Sequence, residues 1–145
     1  MTDYQINTAT ETDIVSHLKS CDETFFFNLR EKVDIQIYSQ KLKTNAILFE
    51  AWRKSILIGL IAAYYNCIED KIAYITNVSI SKKNEGKGIA SELMKKCIVY
   101  GQSNNFKKIK LEVAVSNRNA IKLYEKFNFQ HLEYKNDNLI MELEI

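Results

Sequence analysis

Residues 72–91 read IAYITNVSISKKNEGKGIAS, and the change of pattern within them decides the fold. The first half is apolar and rich in β-branched residues, which predicts a strand over 71–81. Apolar residues then recur at helical spacing and predict a helix from Gly88 to about Ser103. Gly86 and Gly88 at the junction can adopt positive φ and expose their backbone amides. A helix that begins at such a turn favours a bound anion, typically a phosphate.

Positive charge gathers around this junction. Residues 81–110 contain eight Lys and two Glu, a balance of +6, whereas the whole chain carries +2. A solvated lysine surface is the simpler interpretation of the charge alone, but a small phosphorylated ligand needs only such a local patch. Lys83 and Lys87 are the candidates that would attract it. Nucleic-acid binding is disfavoured, because the lysines lack interleaved aromatic residues and a recognisable binding motif.

Other interpretations of the glycine turn compete with a phosphate site. A strand–helix connector without a ligand is the simplest of them. The P-loop pattern GxxxxGK[ST] is absent from the chain. The dinucleotide pattern GxGxxG is incomplete, because Ser91 stands at its third glycine and the turn follows antiparallel strands past the middle of the chain.

The remaining elements follow from periodicity and turn residues. Thr10 and Asp13 have the spacing of a helix N-terminal cap. The short turn after residue 53 predicts that its two flanking strands are antiparallel. The predicted elements are a strand at 4–9, a helix at 10–21, helical residues 25–45 with a break near Asp34, strands at 46–52, 55–66, 71–81 and 107–115, a helix from Asn117, and a final hairpin around Asn136–Asn138. This order predicts a mixed α+β sheet of about seven strands with a strand–helix–strand unit at its centre.

Strand 107–115 alternates between apolar and polar residues. Its two predicted faces are Ile109, Leu111, Val113 and Val115, and Lys108, Lys110, Glu112 and Ala114. The aromatic run Phe25–Phe27 is predicted to be core for at least two of its three residues.

Length and composition exclude several classes of protein. The 145 residues are expected to form a single domain, 1–145. The three isolated cysteines and two histidines indicate neither a disulfide framework nor a metal site. No apolar run of about 18 residues is present, and the polar N-terminus lacks a signal peptide, so no membrane partner and a cytoplasmic location are expected.

Residues 111–129, LEVAVSNRNAIKLYEKFNF, carry a second motif downstream of EGKGIAS. The two together resemble the GNAT superfamily of acyl-CoA-dependent N-acyltransferases. That family has Gln/Arg-x-x-Gly-x-Gly/Ala at a strand–helix junction and SN-x-x-A-x-x-LY-x-x-x-GF after a later strand. The resemblance covers about 56–129, roughly half of the chain. The matching residues are Gly88, Ala90, Ser116, Asn117, Ala120, Leu123, Tyr124 and Phe129.

The resemblance implies a GNAT-like, mostly antiparallel sheet with helices on both faces and a fourth strand that splays from the fifth. It also implies that acetyl-CoA is the acyl-donor co-substrate and that no metal takes part. The residues that would bind it are Val78 and Ile80 through their main chain, Lys83, Gly86, Lys87, Gly88, Ile89, Ala90 and Ser91 around the pyrophosphate, and Asn117 and Tyr124 near the arm. Two positions depart from the family pattern. Glu85 replaces Gln or Arg, which predicts weaker binding of the diphosphate, and Asn128 replaces the glycine at a left-handed helix end.

The same resemblance implies two catalytic residues. Tyr124 matches the family tyrosine near the CoA sulfur and would protonate the leaving thiolate; the alternative is a buried core aromatic. Glu112 has the spacing to Tyr124 found in members that acetylate protein N-terminal amines, where it is a base acting through water. Its alternative is a half-exposed strand charge paired with Lys110 or another neighbour. Asn117 is also a plain candidate for a helix N-cap.

The sequence therefore predicts an N-acetyltransferase that moves acetyl from acetyl-CoA to a primary amine by direct transfer in a ternary complex. The acceptor would be a small metabolite, an amino sugar or a protein N-terminus. A non-catalytic acyl-CoA-binding sensor is the main alternative, and a nicotinamide-dependent oxidoreductase is a weaker one. The final strands are also candidates for pairing in a homodimer.

Overall fold

A computed structural model describes residues 1–21 and 34–145. The elements, in chain order, are β1 (Asp3–Ile6), α1 (Glu11–Ser20), α2 (Ile35–Asn45), β2 (Ile47–Arg53), β3 (Ile56–Cys67), β4 (Ile72–Ile80), a single 3-10 turn (Lys82–Asn84), α3 (Ile89–Ser103), β5 (Lys108–Ala114), α4 (Arg118–Lys126), β6 (Gln130–Lys135) and β7 (Asn138–Glu144). This succession confirms the predicted one. The helix predicted over 25–33 and the core placement of Phe25–Phe27 lie outside the described residues.

The seven strands form one sheet in the order β1-β2-β3-β4-β5-β7-β6. The pairs β1–β2, β2–β3, β5–β7 and β6–β7 are antiparallel. The strands β4 and β5 are parallel, with Ile72–Ile75 opposite Lys108–Leu111. A parallel pair needs a crossover connection, and α3 provides it. The mixed, mostly antiparallel sheet with a central strand–helix–strand unit is therefore confirmed.

The chain forms two compact units. The first contains Met1–Ala63 and Asn77–Cys97, and the second contains Tyr64–Thr76 and Ile98–Ile145. The largest fully buried side chains of the first unit are Ile14, Leu42, Leu48, Phe49, Leu60, Ile61, Leu93 and Met94. Those of the second unit are Ile109, Leu111, Leu139 and Met141.

Turn and cap residues set the boundaries of several elements. Thr10 and Asp13 form a capping box at the start of α1, and the Asp34 side chain caps α2 by accepting from Gln36 and Ile37. Lys54 and Ser55 between β2 and β3 have φ values of 51° and 63°. Two consecutive positive φ values are typical of a type I′ hairpin turn, whose twist matches that of the strands.

One predicted face of β5 is wrong at its end. Val115 was expected to lie on the same face as Ile109, Leu111 and Val113, but those three are buried and Val115 is 41% exposed. The strand ends at Ala114, and the Val115 amide donates to the Asp137 carbonyl at 3.0 Å. Side chains alternate between two faces only while the backbone is extended. The pattern therefore predicts an end of the strand that is one residue too late.

Candidate active site

The glycine turn between β4 and α3 has the backbone conformation that the sequence predicts. Gly86 and Gly88 have φ values of 75° and 80°. A Cβ at either position would meet no atom within 4 Å. Glycine is therefore favoured here by the left-handed backbone and not by lack of space, since other residues adopt this region at a cost.

The turn presents backbone amides at the start of α3. The Gly88 carbonyl accepts from the Glu92 amide at 3.1 Å, which makes Gly88 the residue that opens the helix. Within residues 1–21 and 34–145, no backbone carbonyl outside the helix accepts from the amides of residues 86–90. These amides and the positive end of the helix dipole point to an anion site. The donor set fits a diphosphate such as that of coenzyme A, because the exposed side chains of Lys82, Lys83 and Lys87 add positive charge.

Glu85 adds a negative charge to the same turn, and its side chain is exposed. Burial, with a smaller contribution from the Glu85 charge, raises the pKa of Cys21 to about 12. Cys21 is therefore a protonated thiol at neutral pH and not an activated nucleophile.

The two ends of the turn are packed on Gly59 of β3, which the sequence did not single out. A Cβ at Gly59 would lie 2.8 Å from Ile89 Cγ2 and 3.1 Å from Ile80 Cδ1. The missing side chain lets the last residue of β4 and the first residue of α3 approach the same strand. Val78 and Ile80 themselves are buried, at 7% and 5% exposure.

A buried polar chain also lies in the first unit, and sequence reasoning missed it. His17 of α1 is 2% exposed, and its Nε2 lies 2.8 Å from Ser79 Oγ of β4. Ser79 Oγ lies 2.8 Å from the Asn77 side-chain amide, and that amide reaches the Tyr38 hydroxyl of α2 at 3.4 Å. No local motif could reveal this arrangement, because His17 and Ser79 are 62 residues apart.

Tyr124 of α4 lies in the second unit and is 5% exposed. Its ring centroid is 5.8 Å from that of Phe129, so it is also a packed aromatic. Burial raises the pKa of Tyr124 well above its ordinary value. The phenol is therefore neutral and protonated at pH 7, which is the state that a general acid needs.

Two backbone hydrogen bonds close the C-terminal end of α4, and the Tyr124 carbonyl accepts one of them. Asn128 has a φ of 72°, and its amide donates to the Glu125 carbonyl at 2.9 Å. The Phe129 amide donates to the Tyr124 carbonyl at 3.0 Å. This pair of bonds is the Schellman arrangement, so the expected left-handed asparagine is confirmed. Asn117 caps the other end of α4, where its side chain accepts from the Ala120 amide at 3.2 Å.

Glu112 of β5 is exposed and lies in the second unit. Its Oε2 accepts a hydrogen bond from Asn138 Nδ2 of β7 at 2.6 Å. Burial and, to a smaller extent, the Glu112 charge raise the pKa of Tyr74 on β4. The observed hydrogen-bond partner of this carboxylate is thus an amide on the neighbouring strand, which leaves the second carboxylate oxygen for other contacts.

The first unit contains the predicted residues Val78, Ile80, Lys83, Gly86, Lys87, Gly88, Ile89, Ala90 and Ser91, and the second contains Glu112, Asn117 and Tyr124. Among residues 1–21 and 34–145, no group of three or more His, Cys, Asp or Glu could hold a metal ion. In the same ranges, no helix is both long enough and apolar enough to span a membrane.

Comparison with known proteins gives concordant matches. The acetyltransferase (GNAT) family matches residues 12–129. The N-acetylaspartate synthetase of Xenopus tropicalis is 28% identical over 119 residues, which make up 82% of this chain and 41% of that protein. The chain therefore spans less than half the length of that relative.

Two solved structures illustrate the likeness in fold. The ribosomal-protein-S18-alanine N-acetyltransferase of Escherichia coli superposes with a TM-score of 0.79 at 15% identity, covering 100% of this chain and 94% of the other. The PaiA N-acetyltransferase of Thermoplasma acidophilum in complex with coenzyme A gives a TM-score of 0.76 at 14% identity, with 99% of each chain covered. At such identities the likeness concerns the fold alone.

Proposed function

The chain belongs to the acetyltransferase (GNAT) family, and from that membership we propose that it transfers an acetyl group from acetyl-CoA to a primary amine. One observation carries the proposal furthest: Gly86 and Gly88 have left-handed backbones at the start of α3 and lie beside exposed lysines. That geometry suits a diphosphate, and the coenzyme A bound by a protein of similar fold contains one.

The residues proposed to hold acetyl-CoA divide by the part of the molecule they would contact. Val78 and Ile80 would bind the pantetheine arm through their main-chain groups. Asn117 would contact the same arm. The pyrophosphate would be held by Lys83, Gly86, Lys87, Gly88, Ile89, Ala90 and Ser91. Glu85 opposes this binding electrostatically, and the three lysines of the turn compensate for it.

The transfer would be direct. The amine nitrogen attacks the acetyl carbon, the carbon–sulfur bond breaks, and the new carbon–nitrogen bond forms without a covalent acyl-enzyme. Glu112 takes the proton of the attacking amine through a water molecule, and Tyr124 gives its proton to the leaving sulfur. The neutral, buried phenol of Tyr124 supports this assignment of the acid.

The acceptor is proposed to be a small metabolite amine, an amino sugar or a protein N-terminus. The names of the Xenopus relative and of the E. coli structure both describe acetylation of an amino group. An acidic small-molecule amine and a peptide N-terminus are therefore the first acceptors to try.

Calorimetric titration with acetyl-CoA, with NAD as the control, tests the cofactor assignment. Micromolar binding of acetyl-CoA alone is the expected result, followed by thiol release that depends on an added amine. Binding without turnover on any amine of a broad panel would favour a non-catalytic acyl-CoA sensor. Binding of NAD together with silence from CoA and all acyl-CoAs would overturn the proposal.

A further inference from the structure

Arg53 is a half-buried residue at the end of β2, and its guanidinium contacts the 3-10 turn that follows β4. Its Nη1 donates to the Asn84 side-chain oxygen at 3.2 Å, and its Nη2 donates to the Thr2 hydroxyl at 3.0 Å. Both partners are neutral, and within residues 1–21 and 34–145 no carboxylate forms an ion pair with Arg53. The described residues therefore orient this permanent positive charge without neutralising it.

The Nε atom of Arg53 is buried, and it has no hydrogen-bond partner in the described part of the chain. An unpaired donor on a buried charged group lowers the free energy of unfolding. Packing alone would favour an apolar side chain of similar length at this position. A guanidinium here is better explained by what its two hydrogen bonds hold in place.

Asn84 is the last residue of the 3-10 turn, two residues before Gly86. The Arg53 guanidinium can only donate, so the Asn84 side-chain oxygen must face it and the side-chain nitrogen must face the other way. That nitrogen donates to the Ser81 hydroxyl at 2.7 Å. The Asn84 side chain is therefore held at both ends, by β2 on one side and by the end of β4 on the other.

The backbone of the same turn is fixed to the sheet. The Asn84 amide donates to the Ser81 carbonyl at 2.8 Å, and the Ser81 amide donates to the Ile58 carbonyl of β3 at 2.8 Å. These residues and Arg53 all belong to the first unit. The point at which the chain enters residues 85–88 is thus set by hydrogen bonds to β2 and β3.

We infer that Arg53 is a positioning residue for the acetyl donor: by holding Asn84, it fixes the place from which residues 85–88 present their amides to the diphosphate. The inference rests on the proposed acetyl transfer and adds a residue of β2 to its donor site. Arg53 acts through Asn84, and no contact between the guanidinium and the donor is needed. Its planar fork donates to two acceptors in fixed directions, which a lysine ammonium does not reproduce.

The hold on the turn can be measured without any ligand. Arg53→Lys keeps the charge and loses the fork, so the Asn84 amide should exchange its hydrogen several-fold faster than in the unmodified protein. Thr2→Val is the matched control, because it removes the other acceptor of Arg53 and leaves Asn84 untouched. An Asn84 exchange rate in Arg53→Lys equal to that in Thr2→Val would overturn the inference.

The effect on donor binding is measured by calorimetry. Loss of a hydrogen bond from a charged group should raise the acetyl-CoA Kd about tenfold in Arg53→Lys, and by a similar factor in Asn84→Ala. The Kd of Thr2→Val should match that of the unmodified protein. If Arg53 acts through Asn84, the double variant Arg53→Lys/Asn84→Ala should bind no more weakly than either single variant, and multiplying losses would contradict that route.

A shortened donor separates positioning of the diphosphate site from a general folding defect. S-acetylpantetheine has the thioester and the arm of acetyl-CoA but lacks the diphosphate. In Arg53→Lys, kcat/KM should fall about tenfold with acetyl-CoA and stay unchanged with S-acetylpantetheine. Equal losses with the two donors would mean that Arg53 has only a structural role. If Arg53→Lys does not fold, Asn84→Ala gives the same comparison.

The outcomes distinguish this inference from the proposed function. Acetyl-CoA Kd values of Arg53→Lys and Asn84→Ala equal to that of Thr2→Val, with acetyl transfer intact, would refute the role of Arg53 alone. Absence of acetyl-CoA binding in the unmodified protein would refute the proposed transfer and, with it, the donor-site role.

Discussion

Tyr124 is both a packed aromatic and the proposed acid, and a substitution can separate the two roles. Tyr124→Phe keeps the ring against Phe129 and removes only the hydroxyl proton. We expect kcat to fall by about 100-fold, the lower range for loss of a general acid. The acetyl-CoA Kd should change little, because the role proposed for the hydroxyl begins only when the thiolate leaves. Thiol-release kinetics and calorimetry measure the two quantities.

The matched control for this variant is Tyr134→Phe, since Tyr134 is 66% exposed on β6 of the same unit. It should behave like the unmodified protein in both assays. A kcat for Tyr124→Phe equal to that of Tyr134→Phe would mean that Tyr124 is a core residue without a catalytic role.

Asn138 is expected to orient Glu112, whose Oε2 it contacts at 2.6 Å. Asn138→Ala removes that hydrogen bond and frees the Glu112 carboxylate to rotate away from the orientation proposed for the base. We expect kcat to fall by about tenfold, the effect of losing a hydrogen bond to a charged group, with the acetyl-CoA Kd unchanged. Glu112→Gln should lower kcat further, because it removes the proposed base itself.

A double variant decides whether Asn138 acts through Glu112. If it does, Asn138→Ala adds no further loss of kcat in a Glu112→Gln background. Independent, multiplying losses would contradict the positioning role of Asn138. A Tm for Asn138→Ala close to the unmodified value would show that its effect on kcat is not a folding defect.

Sequence analysis at the residue scale succeeded where the partner is close along the chain. Thr10 and Asp13, or Asn117 and Ala120, are three residues apart, and helix caps have a fixed spacing. The partner of Glu112 lies 26 residues away on another strand. Its identity depends on the register between β5 and β7, which no spacing rule supplies.

The connection between β4 and α3 gives a prediction at the scale of an element. Gly88 has a φ of 80°, and a Cβ there would meet no atom. Gly88→Val should lower the stability by about 1–2 kcal/mol, because a β-branched residue is strained in the left-handed region. It should also weaken acetyl-CoA binding, since relief of the strain moves the amides that open α3.

Gly88→Asn is the matched variant, because asparagine is similar in size to valine and adopts positive φ more readily. Its acetyl-CoA Kd should lie between those of the unmodified protein and Gly88→Val. Calorimetry and thermal melts provide both readouts. Equal affinities for the Val and Asn variants would mean that the side chain obstructs the ligand, and that the backbone conformation of Gly88 is not what matters.

Periodicity predicted the elements well, because the apolar pattern of each strand or helix follows from which of its own faces is buried. It failed at Val115, where the strand ended one residue earlier than its apolar pattern. It was also silent on Gly59, whose importance arises only when Ile80 and Ile89 fold onto it. Close packing depends on two elements together, so the sequence of one element does not reveal which residues of another pack against it.

At the scale of the whole molecule, the features hidden from the sequence are buried polar groups with distant partners. Glu50 is fully buried, and its carboxylate accepts from the Thr8 and Ala9 amides at 2.9 Å each and from Trp52 Nε1 at 3.1 Å. The β2 pattern ILFEAWR gives no reason to bury this glutamate, and Thr8 is 42 residues away. Such groups stabilise one tertiary arrangement because any other would leave them unpaired.

His17 makes the stability of the whole molecule depend on pH, and the sign can be worked out. Burial lowers its pKa from 6.5 to about 4, so the unfolded chain binds a proton more readily than the folded one. The free energy of unfolding therefore falls as the pH drops from about 6.5 towards 4, and the loss from this group is complete below that range. The size of the loss is on the order of 3 kcal/mol, from about 1.4 kcal/mol for each pKa unit.

Thermal melts between pH 7.5 and 4.5 measure this loss as a falling Tm. His17→Gln removes the titrating group, so its Tm should start lower at pH 7.5 but fall less steeply with acid. His131→Gln is the matched control, because His131 is the exposed histidine that contacts Glu125 at 2.9 Å on the surface. Its pH slope should stay close to that of the unmodified protein.

A steep slope retained in His17→Gln would place the acid sensitivity in other groups. If His17→Gln does not fold, a flat Tm in the unmodified protein between pH 6.5 and 4.5 would contradict the prediction by itself.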